Sequence, residues 1–213
     1  MLVTWFDCPD DPRNSNENSK GYTLSTTTAP VLTDLIPASR VKDAALVMGG
    51  TALLAVTSQI LVPLWFTPVP LSLATFSVLL VGAALGPLRG GLSMGLYLVL
   101  GLAGVPVFAG FSSGAASASF GYILGYVLAG IAVGFLARRA ADRRVLSAFA
   151  MAVVGSALIY AVGVPWLMIS LGVGGREGLM LGLVPFLIGD AIKAALASAV
   201  LPAAWKLVGG APR

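Results

Sequence analysis

The sequence predicts an all-α integral membrane protein: a bundle of six transmembrane helices with both termini in the cytoplasm. Three observations carry that expectation. The chain of 213 residues is 57% hydrophobic and 10% charged, against roughly 25% charged residues in soluble domains. Its mean hydropathy is +0.92. Apolar runs recur at the length of about 20 residues that a helix needs to cross a bilayer, and the ten-residue alternating segments of a barrel do not. The 26 glycines suit helices whose backbones approach closely in lipid.

Residues 1–38 are expected to form a disordered tail, or an extension ahead of the true start. They are rich in Asp, Asn, Ser, Thr and Pro, a composition too polar to build a core. They lack the basic stretch followed by an apolar run that marks a secretory signal. Cys8 is the one cysteine, so no intrachain disulfide forms. The membrane domain is expected over residues 39–208, with a short C-terminal tail at 209–213.

A window of about 19 residues places the six spans near 43–62, 70–86, 88–104, 118–137, 145–171 and 180–205. The second and third are short, and "GPLRG" between them is a Gly-Pro turn signal. The fourth carries Gly121, Gly125, Gly130 and Gly134, spacings that serve helix packing more often than chemistry. Arg40, Lys42, Arg89, Arg138, Arg139, Arg143, Arg144, Lys206 and Arg213 fall on one side of these spans, and Arg176 alone on the other. The positive-inside rule therefore places both termini in the cytoplasm. The basic balance reports topology, and no nucleic-acid partner is implied.

Four Val-Pro-aromatic clusters fall near the outer ends of spans: "VPLWF" (62–66), "VPVF" (105–108), "VPW" (164–166) and "VPF" (184–186). They read either as an interfacial aromatic belt or as the lining of an outward-opening apolar pocket, since broken backbone at membrane depth is tolerated where it lines a cavity.

The strongest functional signal follows the last cluster. Asp190 and Lys193 lie in "PFLIGDAIKAALASAVLP", roughly 9 Å below the outer surface at 1.5 Å per residue. Their spacing puts both on one helix face. Intramembrane ionisable residues mark substrate or ion paths; the alternative is a structural ion pair whose members satisfy each other. An acceptor beside a donor in an aromatic pocket suits a small, polar-edged, largely apolar solute.

Enzymatic readings fail on composition. "GFSSG" (110–114) matches G-x-S-x-G, but the chain contains no histidine, so a Ser-His-Asp triad cannot be built. The same lack, with one tail cysteine, leaves no His/Cys zinc set. No Gly-Lys dipeptide exists, so there is no P-loop, and any ATP-driven step needs another polypeptide. A membrane structural subunit is disfavoured by the cost of burying Asp190 with Lys193.

Five stretches, "TPVPLSLATFSVLLVGAALGP" (67–87), "YLVLGLAGVPVFAG" (97–110), "SFGYILGY" (119–126), "YAVGVPWL" (160–167) and "PFLIGDAIKAALA" (185–197), resemble the BioY family, the biotin-binding S-components of energy-coupling-factor (ECF) transporters. The resemblance runs from about Lys42 to Lys206. It implies six helices with a biotin pocket near the outer face, roofed by the loop between the third and fourth. It implies membrane lipid, a transmembrane coupling protein and two ATPase subunits as partners, biotin as transported ligand, and no cofactor. Asp190 and Lys193 match the family's D-x-x-K, Tyr122 the aromatic of its Gly-Gly-Tyr segment, and Tyr160 and Trp166 its Y-x-x-G-V-P-W stretch. Ala74 stands where the family usually has Gln, "SASFGY" replaces Gly-Pro-Thr-Gly-Gly-Tyr, and Ile188 replaces a proline.

The resemblance implies that Asp190 accepts from the ureido N–H groups while Lys193 donates to the ureido carbonyl or holds Asp190 ionised. Phe108, Tyr122 and Trp166 would pack on the bicycle, with Tyr160 and Thr75 also in the pocket. Ser112, Ser113, Arg176 or Lys193 would meet the valerate carboxylate. Small residues on the first helix, Ala45 with Gly49 or Thr51 with Ala55, would supply the docking face for the coupling protein. An S-component for another vitamin, or a solitary transporter, is the alternative within transport.

Overall fold

The computed structural model describes residues 29–35 and 39–208. Its elements are α1 (Arg40–Ser58), a two-residue hairpin of β1 (Leu61–Val62) and β2 (Leu71–Ser72), α2 (Ala74–Leu102), α3 (Phe120–Ala137), α4 (Val145–Leu171), α5 (Gly175–Gly182) and α6 (Val184–Leu207). Five helical segments among the described residues are long and apolar enough to cross a membrane, α5 and α6 counting as one.

The expected second and third spans are the two arms of α2. Gly86 breaks that helix with φ 80° and ψ −179°, a conformation open to glycine because it has no Cβ. Pro87 then starts the second arm, where its missing N–H costs nothing. The arms double back on each other. A Cβ on Gly90 would sit 3.1 Å from the Gly82 Cα, although eight helical residues cover roughly 12 Å. The first arm, residues 74–85, is roughly 18 Å long on the same measure, too short to cross a hydrocarbon core of about 30 Å.

Small residues let α3 sit against that turn. A Cβ on Gly134 would lie 2.4 Å from the Gly86 carbonyl carbon and the Pro87 nitrogen, and one on Gly125 would lie 2.8 Å from the Ile159 Cα in α4. The glycine spacings in α3 are thus close backbone contacts with α2 and α4. Pro165, in contrast, breaks nothing: α4 runs through it to Leu171 and ends on Gly172 in the left-handed region.

Within the stretch expected as a tail, residues 29–35 are described. Leu32–Leu35 form a 3-10 turn, and Val31 is fully buried in a cluster with Leu79, Ala83, Val133 and Met151. Asp34 bridges Arg89 at 2.9 Å and Arg138 at 3.6 Å. Burying Val31 and pairing Asp34 offset an ordering entropy that a polar composition alone does not meet. The rest of the tail lies outside the described residues.

The loop between α3 and α4 is tied to the end of α6. Trp205 Nε1 donates to Asp142 Oδ2 at 2.6 Å, and the Arg143 guanidinium stacks 4.6 Å from the Trp205 ring centroid. Burial pushes the Asp142 carboxyl above its usual range, opposed by the Trp205 hydrogen bond.

Candidate functional site

At the end of the bundle opposite the arginine loops, α2, α3, α4 and α6 and the hairpin enclose a cavity. Ser72, Ala74, Thr75, Tyr97, Tyr122, Tyr126 and Ile159 line it with Tyr160, Asp190 and Lys193. It holds about 50 Å³, room for a few waters and far below the roughly 300 Å³ of a small-molecule pocket.

Lys193 fixes the floor. Its ammonium donates to Asp190 Oδ1 at 2.9 Å, Thr75 Oγ1 at 2.8 Å and the Ser72 carbonyl at 2.6 Å. Three donors meet three acceptors, as burial of a charge demands. The Tyr160 hydroxyl donates to the other carboxylate oxygen, Asp190 Oδ2. Both charged side chains are 10% exposed, so the pair is desolvated and held by α2, α4 and the strand β2 together. The hairpin brings the Ser72 carbonyl there: Leu61 pairs with Ser72 and Val62 with Leu71.

Of the residues singled out in the sequence, Asp190, Lys193, Thr75, Tyr122 and Tyr160 meet in this cavity. Tyr122 presents its ring there while its hydroxyl donates to the Gly182 carbonyl at 2.7 Å, fixing the junction of α5 and α6. Others do not reach the wall. Phe108 is buried one layer behind, its ring 5.2 Å from that of Tyr97. Trp166 packs 5.3 Å from Phe120 and donates to the Ser117 carbonyl, so it supports the loop instead of lining the pocket. Ser112, Ser113 and Arg176 are exposed.

The Val-Pro-aromatic clusters divide between the two readings. Trp65 is 95% exposed and Phe66 42%, as in an interfacial belt, whereas Phe186 lines the cavity.

On α1 the two suggested faces also separate. Ala45 and Gly49 are exposed, and a Cβ on Gly49 would meet nothing within 4 Å. Thr51 is buried, its hydroxyl on the Val47 and Ser93 carbonyls, and Ala55 packs against the core. Thr51 is therefore engaged with α2 and Ala55 faces the core, whereas Ala45 and Gly49 lie open.

Tyr97 and Tyr126 were missed. The signal for Tyr126 was its spacing of four from Tyr122, which puts both on one face of α3.

The fold and site define a polytopic helical membrane protein with a small polar cavity, floored by an ion pair, at one end of the bundle. The family model described as "BioY family" matches residues 25–210, and the chain belongs to that family. A probable biotin transporter BioY of Pyrococcus horikoshii is 38% identical over 161 residues, covering 74% of this chain and 93% of that one. The biotin transporter BioY of Thermotoga maritima is 35% identical over 154 residues, covering 70% and 88%. Among solved structures, the crystal structure of the S-component for biotin from an ECF-type ABC transporter superimposes with a TM-score of 0.71 at 25% identity. It covers 80% of this chain and 95% of that one.

Proposed function

We propose that this chain is a biotin-binding membrane subunit that captures biotin at the outer face of the cell membrane. It releases the vitamin inside when docked on a membrane coupling protein driven by two ATPases. The observation that carries the reading is the desolvated Asp190–Lys193 pair, bonded to Thr75 and Tyr160 in a tyrosine-lined cavity. The ureido group of biotin has two N–H donors and one carbonyl acceptor, and its bicycle is apolar. Asp190 accepts from the ureido N–H groups. Lys193 donates to the carbonyl or keeps Asp190 ionised. Tyr97, Tyr122, Tyr126 and Ile159 pack on the bicycle, and the valerate chain runs toward the loops.

In this reading the first arm of α2, too short to cross alone, makes a pass together with the strand β2 that leads into it, and the second arm makes another, giving six passes with both termini cytoplasmic. The arginine-rich loops then face inward and the cavity faces outward. The exposed Ala45–Gly49 face of α1 meets the coupling protein. Because the cavity holds only about 50 Å³, capture widens it and rearranges the contacts around Asp190.

A structural ion pair is the competing reading, favoured by the complete set of partners around Lys193. Thermal unfolding of the purified protein with biotin, thiamine or riboflavin tests the proposal. Saturable stabilisation by biotin alone is expected. A shift with another vitamin and none with biotin would overturn it.

A further inference from the structure

Gln59 follows the last residue of α1 and reaches across to the loop between α2 and α3. Its amide nitrogen lies 3.1 Å from both the Val107 and Phe108 carbonyls, and 3.1 Å from the Ala55 carbonyl and Ser58 Oγ. Its amide oxygen accepts the Phe111 N–H at 2.9 Å. Ser58 adds a bond from its hydroxyl to the Val107 carbonyl at 2.9 Å. The amide thus faces carbonyls with its donor end and a backbone N–H with its acceptor end, a pattern that suits an uncharged amide and that neither a carboxylate nor an apolar side chain meets.

The loop needs that hold. Phe111 adopts φ 55°, the left-handed region that a bulky side chain avoids. Phe111 is 72% exposed, so packing does not fix the conformation. A second anchor lies three residues before Phe111: the Phe108 ring occupies the space a side chain on Gly101 would take, with Cζ 2.0 Å from where a Cβ would sit. Between the two anchors Ala109 lines the cavity, as does Ser58.

We propose that Gln59 is a positioning residue for ligand retention: it clamps residues 107–111 and so fixes Ala109, the part of that segment that forms the cavity wall. Its loss frees that wall and speeds release. The release part rests on the biotin reading above; the clamp does not.

Hydrogen exchange on the ligand-free protein in detergent, beside biotin association and dissociation rates, tests this in the parent and in Gln59→Glu and Gln59→Met. In the parent, the Phe111 amide is expected to exchange as slowly as the last turn of α1. In Gln59→Met exchange over 107–111 rises about ten-fold or more, the size of one lost hydrogen bond; Gln59→Glu keeps an acceptor for the Phe111 N–H but loses the donor bonds to the carbonyls, so its rise is smaller. Biotin dissociation rises by a similar factor while association stays within about three-fold, a split that a general loss of stability would not give. Free exchange of Phe111 in the parent would overturn the clamp, whatever the variants do. So would variants that exchange and release biotin at parental rates. A parent that binds no biotin sinks the proposed function instead, and the exchange comparison then decides the clamp.

Discussion

Lys193 Nζ lies 2.9 Å from Asp190 Oδ1, three residues away on the same face of α6, and each charge is the other's main compensation for leaving water. Removing one partner of a buried pair costs about 3–5 kcal/mol, because the survivor stays buried and uncompensated. Asp190→Asn and Lys193→Met are therefore each expected to lower the unfolding temperature in detergent. The double variant is expected to be more stable than either single one. A double-mutant cycle of unfolding free energies checks this; equal, additive losses would show the two charges to be uncoupled.

Tyr160 donates to the carboxylate oxygen that Lys193 leaves free. Tyr160→Phe keeps the ring and removes the donor. A hydrogen bond to a charged group contributes about 1.5–3 kcal/mol, and the ligand-free protein is expected to lose that much stability. Biotin affinity should fall by less, since an incoming N–H can take the vacated lone pair. Thermal unfolding with and without biotin measures both; a larger loss in affinity than in stability would place the hydroxyl on the ligand.

Glycines give a contrast between fold and docking. Gly134→Ala puts a Cβ 2.4 Å from backbone atoms of the α2 break, and overpacking against rigid backbone costs about 1–3 kcal/mol. Gly49→Ala meets nothing within 4 Å and should leave stability and biotin binding unchanged. Gly49→Trp should also bind biotin yet fail to co-purify with a coupling module. Loss of biotin binding in Gly49→Trp would move that face out of the docking role.

Asp142 links stability to pH. Burial raises its carboxyl in the folded state, so folding favours the protonated form. The stabilising effect is complete below the unfolded value of 3.8 and is lost as pH rises through the raised folded value. Asp142→Asn keeps an acceptor for Trp205 Nε1 without the buried charge. The difference in stability between variant and parent should grow in the variant's favour from about pH 4 toward neutrality. Unfolding curves across that range measure it, and a pH-independent difference would contradict the burial argument.

Much of the site was legible because charge inside an apolar run is conspicuous. Asp190 and Lys193 stood out by their solvent, and their partners Thr75 and Tyr160 lay in motifs that resemble one family. The aromatic residues were harder to place from pattern. Phe108 and Trp166 occupy similar Val-Pro contexts to Phe186, yet only Phe186 lines the cavity, since burial of an aromatic does not say which side of a wall it faces. The packing of Val31 was hidden because a single apolar residue in a polar stretch has no periodicity to read. Gln59 was hidden for the same reason: its role rests on carbonyls some 50 residues away, which local pattern does not carry. The turn at Gly86-Pro87 was readable from the residue types themselves.

The central claim is that the Asp190–Lys193 pair receives biotin. Calorimetric titration of biotin into the purified parent, Asp190→Asn and Lys193→Met tests it most directly. The account predicts saturable one-site binding by the parent, weakened by about 2 kcal/mol or more in each variant, the scale of a lost charged hydrogen-bond partner. Parental affinity in both folded variants would contradict it and leave the pair a structural one.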